Sequence, residues 1–592
     1  MPRSRKVGRV SEEGCDDPQS PAETNRSATR RSLTPIFSTA ITTAIITGVH
    51  TVRLLFCDAA GIRRARAVPL GGGGGTGGAN GKAARSAALA ALATDGVGLT
   101  QGAMGMPAHA DMVAEESGLS PKGEVRLVPG RCAAAPGEEK AAGKAAAART
   151  TLPPPAPLLL SPVRPLPWMP SHALAVADML DADTGKPWVC CPRAALRRVV
   201  QVARDRLGVG FVVGFELEFV LLRPAQANHA APFVPPGPPI DAAADPLLLL
   251  RAVDDLPYAS SLGLDAHAAL LDEMVRACSA LGQRVVQYHS ESAPGQYELA
   301  LSAHSDPVAA ADGLLLAKEA VACLAARRGL VACFAPKPFK GVAGSGMHAH
   351  VSVVSAGEDA GRNLMAAGGG EGDEKDTPLP SATARELGLS STGESFVAGL
   401  LAHLPALLPF TAPSAGSYER LRPGCWAGAF ATVGLQDREA PLRVTAARGA
   451  AAALSPPSAA ASARGRSNNS KSISSSSGSS KTNVEVKAVD ATCNPHAALA
   501  ALLTAGLEGL RARATLPAPG KEGASSPTPA AAARLPGSLP EALAALDADE
   551  QLCSALRDDE ASLGAALFDA LVGVRRCEAR LGVSAEQAAL RY

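Results

Sequence analysis

Two glutamates inside one apolar run constrain this chain more than any other feature. The run is GFELEFVLL, Gly214 to Leu222, and only Glu216 and Glu218 interrupt it. It reads as a buried or half-buried strand. Side chains alternate faces along a strand, so Glu216 and Glu218 point the same way. Two like charges that close raise each other's pKa and resist burial. Either the strand sits at an edge with one face in water, the usual place for charged residues, or a divalent cation lies between the carboxylates. Oxygen-rich magnesium or manganese sites need carboxylates converging from rigid elements. Further ligands elsewhere in the chain decide between the two.

Such residues recur. QYHSESAPGQYELAL, from Gln287, carries Glu291 and Glu298, with a turn at PGQYE and strand-like alternation after it. GSGMHAHVSV, from Gly344, places His348 and His350 on one strand face after a flexible turn. VEVKAVD, from Val484, places Glu485 and Lys487 on one face. Each alone is explained by an exposed strand residue. Together they supply five glutamates and a histidine, enough for two hard-cation sites.

With 592 residues the chain exceeds one ordinary core, so at least two domains are expected. Lys plus Arg is 57 and Asp plus Glu is 56, which gives no reason to expect nucleic acid or an acidic membrane as partner. No uninterrupted apolar run reaches membrane-spanning length. Twelve cysteines without a CxxC pair read as reduced thiols rather than a disulfide scaffold. Residues 1–47 are basic and hydroxyl-rich, a disordered leader or a weak transit peptide. Glu12, Glu13, Asp16, Asp17 and Glu23 count against organellar import. The expected compartment is the cytoplasm, with chloroplast or mitochondrion as the alternative.

Four low-complexity stretches read as disordered surface insertions: Gly-rich from Gly71, Ala/Pro-rich from Ala133, acidic and Gly-rich from Ser355, and Ser-rich from Ala463. Between them, VHTVRLLFCDAAGIRRARAVP from Val49 reads as strand, turn, strand. CPRAALRRVVQVARDRLG from Cys191 reads as a helix, with Pro192 in its first turn and Gly208 at its end. Alternating strands and helices predict an α+β domain behind a smaller β-rich one.

GFELEF, ESAPGQYE, KPFKGVAGSGMHAHVS, GSYERLRPG, DREAPLR and VEVKAVDATCNPH occur in the order and rough spacing of the glutamine synthetase family. From about Val49 onward the chain resembles that family, and HSESAPGQYE, PGCWAG and REAPLR resemble its FluG/nodulin-type, glutamine synthetase-like branch. The resemblance implies an N-terminal β-grasp domain over 48–190. It implies a catalytic domain over 191–592, antiparallel strands forming a funnel flanked by helices, with disordered insertions near 355–388 and 455–482. It implies two or more Mg2+ or Mn2+ ions per site, with ATP, glutamate and an amine as substrates and a homo-oligomer with sites between subunits. By matching motifs, Glu218, Glu291 and Glu298 would hold one metal, and Glu216, His348 and Glu485 the other. Arg420 and Arg438 would be catalytic. Gly344, His289, Arg420, Lys487 and Trp426 would bind substrate, and Ser352, Arg438 and Arg443 the nucleotide. The implied reaction is ligation of glutamate's γ-carboxylate to ammonia or, more in keeping with the departures below, another amine, through a γ-glutamyl phosphate. The alternative is an oligomeric scaffold or nucleotide/amino-acid sensor without turnover.

Four departures from the family pattern bear on the acceptor. PGCWAG stands for PGYEAP, so Trp426 replaces a flap glutamate and a general base is lost. Ala343 replaces an asparagine at glutamate's α-amino end. Lys487 replaces an arginine, keeping charge without the bidentate fork. TQGAMGM, from Thr100, lies where an ammonium-binding aspartate is expected and carries no acid.

Overall fold

The computed structural model describes residues 48–71, 79–133, 158–160, 163–224, 250–357, 359–366, 379–445, 481–518, 532–584 and 591–592. The expected leader, 1–47, lies outside the described residues, as does nearly all of the Ser-rich and much of the Gly- and Ala/Pro-rich stretches. The architecture is α+β, with an N-terminal sheet and a larger sheet backed by helices.

The N-terminal sheet has the order Arg63–Pro69, Thr51–Cys57, Met169–Asp181, Glu124–Pro129, Val97–Thr100, and Arg164–Leu166 pairs with Met169–Asp181. Its first hairpin matches the strand–turn–strand reading. At the turn, Ile62 N donates to Asp58 Oδ1 at 2.9 Å. Gly61 sits there at φ +83°, and a Cβ on it would lie 1.9 Å from the Thr492 carbonyl oxygen. Glycine is therefore needed both for the left-handed backbone and for the close approach of the second domain. The helix Ala79–Thr94 begins inside the stretch read as linker. Its alanine-rich sequence favours helix once the glycines end.

The larger sheet runs Val285–Ser290, Gln296–Leu301, Val209–Pro224, Met347–Ser355, Asn483–Val486, Leu442–Thr445, Val433–Leu435. The long strand Val209–Pro224 lies antiparallel to Gln296–Leu301 on one side and to Met347–Ser355 on the other. Phe215, Leu217 and Phe219 are buried in the core, which leaves Glu216 and Glu218 on the opposite face. The helix Pro192–Leu207 ends at Gly208 with φ +63°, as its sequence predicts, and buries Leu196, Val199 and Ala203 along one stripe. Among the described residues one helix, Ser391–Thr411, is long and apolar enough to cross a membrane, and it is mostly buried inside the fold.

Part of the stretch expected as an insertion over 355–388 is packed. Met365 is fully buried, Asn363 donates to the Thr482 carbonyl at 2.8 Å, and Ala382–Glu386 is helical with Leu387 and Leu389 buried after it. A low-complexity composition over the whole stretch hid these apolar anchors at its two ends.

The two sheets are joined through buried polar contacts. Arg193, at the start of its helix, pairs with Asp178 at 2.7 Å and with Asp312 at 2.8 Å, and His496 Nε2 lies 2.9 Å from Asp312. Asn494 Nδ2 donates to the carbonyls of Cys57 and Asp58 at 2.9 and 3.1 Å.

Candidate active site

Strand register assembles the site. Glu298 faces Glu218 across one ladder, and His289 faces Glu298 across the next. On the other side His348 faces Glu216, His350 faces Glu485, and Arg443 faces Glu485. The result is one row of acids, imidazoles and a guanidinium across six strands. It forms the floor of a cavity of about 1500 Å³. Glu216, Glu218, Glu291, Glu298, His348 and Glu485, six residues expected together, all line it. So do His289, Gly344, Arg420, Trp426, Arg438, Arg443 and Lys487. Ser352 shares the strand face of His348 but is not among the lining residues; its hydroxyl donates to the Thr482 carbonyl at 3.0 Å.

The distances are those of a dense ionic cluster. His348 Nδ1 lies 3.1 Å from Glu216 Oε2 and 3.3 Å from Glu485 Oε1. Its Nε2 lies 3.1 Å from Arg420 Nη2, which also donates to the Lys487 carbonyl at 2.9 Å. Arg443 Nη1 pairs with Glu485 at 2.7 Å. Arg420 packs against the loop 344–346: a Cβ on Gly344 would meet its side chain at 2.8 Å, and one on Gly346 would meet Nη2 at 2.5 Å. These glycines let backbone, guanidinium and His348 converge in one place.

Electrostatics divides the acids. Burial, reinforced by the charges of Glu216, Glu218, Glu291 and Glu485, pushes Glu298 up to about 10. Burial also raises Glu218, against the pull of His348 and Arg420. For Glu216 burial acts upward too, but the adjacent His348 and His350 outweigh it and hold the group well below the carboxylate range. Glu485 is lowered in the same way, His348 and His350 overcoming burial. His289 is raised, chiefly by its contact with Glu291. Burial lowers Lys487.

Two donor groups fit hard divalent cations. Glu216, His350 and Glu485 bring ligand atoms within 4.8 Å of one another, and so do His289, Glu291 and Glu298. Each group contains a buried imidazole nitrogen with no hydrogen-bond partner among the described residues, His350 Nε2 and His289 Nδ1. His350 Nε2 is 3.1 Å from Glu216 Oε1 but lacks hydrogen-bond alignment with it. Orphaned polar atoms at such depth are rare. Carboxylates mixed with imidazoles suit magnesium or manganese.

The motif reading did not assign His350. Its spacing from His348, two residues along one strand, was the available signal. Tyr258, whose ring meets His289 edge-on at 5.8 Å, and Lys337, Lys340 and Glu419 also line the cavity without having been singled out. Trp426 stands at the cavity mouth, 56% exposed, with a left-handed φ of 56°. That conformation is uncommon for a bulky residue.

Residues 189–454 and 452–581 match the family described as glutamine synthetase, catalytic domain. The chain belongs to the glutamine synthetase family. Its relatives include the gamma-glutamylpolyamine synthetase GlnA3 of Streptomyces coelicolor, 33% identical over 90% of each chain. Protein fluG of Emericella nidulans is 28% identical over 71% of this chain and 39% of its own length. A crystal structure described as that of a novel glutamine synthase homolog superposes with a TM-score of 0.61 at 26% identity, covering 92% of this chain and 98% of the other. The protein is thus a glutamine synthetase-like ligase, in the branch that includes GlnA3- and FluG-like proteins. ATP and divalent metals are general to this family.

Proposed function

We propose that this ligase joins the γ-carboxylate of glutamate to an organic amine, driven by ATP through a γ-glutamyl phosphate. One observation carries the reading. The cavity keeps an acid-and-imidazole floor with Arg420, Arg443 and Lys487 beside it, while its mouth presents an indole, Trp426.

Two divalent cations, when bound, would supply positive charge that neutralises the transferring phosphate. Glu216, His348, His350 and Glu485 would hold one, and His289, Glu291, Glu298 and Glu218 the other. Arg443 is anchored on Glu485 and leaves a buried Nε without a partner among the described residues. A planar, permanently charged group in that state suits a phosphoryl oxygen. Arg438, exposed in the loop before Leu442–Thr445, extends positive charge along the same wall. Arg420 and Lys487 stand over the end nearer the 344–346 loop, where glutamate's carboxylate would bind. The γ-carboxylate oxygen attacks the terminal phosphorus and ADP leaves. The amine nitrogen then attacks the acyl carbon, the C–O bond to phosphate breaks, and the proton lost from nitrogen leaves with the phosphate.

The acceptor end supports an organic amine. An apolar indole in place of a carboxylate removes an attraction for ammonium and adds surface for a carbon chain, with a π-face for any cationic end. GlnA3, named a gamma-glutamylpolyamine synthetase, makes di- and polyamines the first compounds to assay. The test is phosphate release with glutamate, ATP and Mg2+ or Mn2+ across ammonia, monoamines and polyamines, with Glu218→Ala as blank. Turnover with an organic amine exceeding that with ammonia is expected. Turnover with ammonia alone, or none with any amine, would overturn the proposal.

A further inference from the structure

Gln296 is buried beside the cavity, only 2% exposed, and does not line it. Its side chain is held at both ends. The amide oxygen accepts from Ala293 N at 2.8 Å, which fixes which end is oxygen. The amide nitrogen faces three acceptors: Glu218 Oε2 at 3.0 Å, the Gly344 carbonyl at 3.0 Å and Ser345 Oγ at 3.1 Å. Its main chain acts as well, since Glu291 N donates to the Gln296 carbonyl at 2.7 Å. One residue therefore touches an acid from each flank of the cluster and the glycine loop above it.

The consequence for Glu218 is specific. Its Oε2 accepts from both Gln296 and the Gly346 backbone N–H, each at 3.0 Å. Two donors occupy that oxygen, which leaves Oε1 as the oxygen turned to the cluster, 3.7 Å from His348 Nε2.

We propose that Gln296 is a positioning residue that pins Glu218 by one oxygen, so that Glu218 offers a single oxygen to a divalent cation while the same amide sets the height of the Gly344 loop. This rests on the two-cation reading of the site. The geometry needs a donor of this length. A carboxylate at 296 would face Glu218 with like charge, and an apolar side chain would leave Glu218 Oε2 and the Gly344 carbonyl short of a donor. Partners that orient a metal ligand are worth about 10- to 100-fold in metal affinity.

The test compares two buried glutamines. Gln283 is equally buried, donates to the Ser302 carbonyl at 3.1 Å and contacts His304 Nε2 at 2.8 Å, away from the cavity. Mn2+ binding to the whole protein, read by the electron paramagnetic resonance of free and bound ion, and thermal unfolding in chelator are measured for wild type, Gln296→Met and Gln283→Met. Gln296→Met is expected to weaken Mn2+ binding about 10- to 100-fold and to raise the KM for glutamate. Gln283→Met should lower the unfolding midpoint and leave Mn2+ affinity unchanged. If Gln296→Met does not fold, Gln296→Asn, too short to reach Glu218, is read in the same way. Wild-type Mn2+ affinity in the Gln296 variants, with wild type itself binding, overturns the positioning role alone. Absence of Mn2+ binding by wild type removes the two-cation reading and this proposal with it.

Discussion

Two buried ionic clusters in this molecule answer the same problem in opposite ways. At the junction of the sheets, Arg193 lies between Asp178 and Asp312, and His496 closes on Asp312. Although burial acts upward on Asp312, Arg193 and His496 hold it far below the ordinary carboxylate range. On the cavity floor five glutamates share histidines and the guanidiniums of Arg443 and Arg420, Glu298 is pushed up to about 10, and two imidazole nitrogens have no hydrogen-bond partner among the described residues. The first cluster is complete within the chain. The second is short of positive charge and of ligands for its nitrogens, which is the condition a cation would relieve. Completeness marks a structural ion cluster, and a deficit marks a binding site.

Each prediction presses on that contrast. Glu218→Ala should reduce phosphate release by on the order of 10³, the several kcal/mol expected when charge stabilisation at a transferring phosphoryl is lost. In chelator the same variant should lose little stability, because removing a like charge offsets the loss of the bonds from Gln296 and Gly346. Phosphate-release assays and thermal unfolding read the two sides; equal activity, or a large loss of stability in chelator, would erase the distinction.

Arg193→Met should do the reverse. Removing the cation from between two buried acids costs about 3–5 kcal/mol, measured by urea unfolding, and should leave Mn2+ affinity intact in the folded fraction. A loss below 1 kcal/mol would mean that the junction cluster is not the complete network its distances indicate.

Lys318 gives a pH test at the same junction. It is fully buried, donates to the Ala491 carbonyl at 2.5 Å, and burial brings it down to about 8. A lysine whose folded value lies below its unfolded one contributes stability that is present above about 10.5 and is lost as pH falls through about 8. Wild type should therefore lose on the order of 3 kcal/mol from this group between those limits, and Lys318→Met should flatten that slope. Urea midpoints at pH 8 and pH 10 provide the measurement.

The smallest effect is expected at the cavity mouth, where the contrast is between charged floor and apolar rim. Trp426→Ala should raise the KM for an organic amine about 10-fold, the low end of what one buried methylene is worth, and leave ATP use nearly unchanged. Equal losses for ATP and amine would place Trp426 in the floor's work rather than the rim's.

Much of this was legible before the fold. The hairpin at Thr51–Pro69 and the helix Pro192–Leu207 have clear periodicity and end signals, and both stand where the sequence puts them. The five acids and one imidazole were legible because each interrupts or adjoins an apolar strand. His289 entered as a substrate contact through its motif; its nearness to Glu291 follows from their two-residue spacing, but its place opposite Glu298 depends on a cross-strand pairing that no local pattern reveals. Gln296 was hidden for another reason. A glutamine in a turn before a strand looks like a solvated residue until its four partners are in place. Ser352 shares the strand face of His348 and lies outside the cavity lining, its hydroxyl bonded to the Thr482 carbonyl.

The chain's own residue order determines which side chains share a face. Alternation along Gly214–Leu222 puts Glu216 and Glu218 together, and the same rule joins His348 to His350 and Glu485 to Lys487. Only the tertiary structure decides which face meets which. Glu298 opposite Glu218, His348 opposite Glu216 and His350 opposite Glu485 are matters of register between segments far apart in the chain. Register is set by the joint packing of a whole sheet on its helices, because a slip of one residue would turn every acid into the core and every core side chain into the cavity.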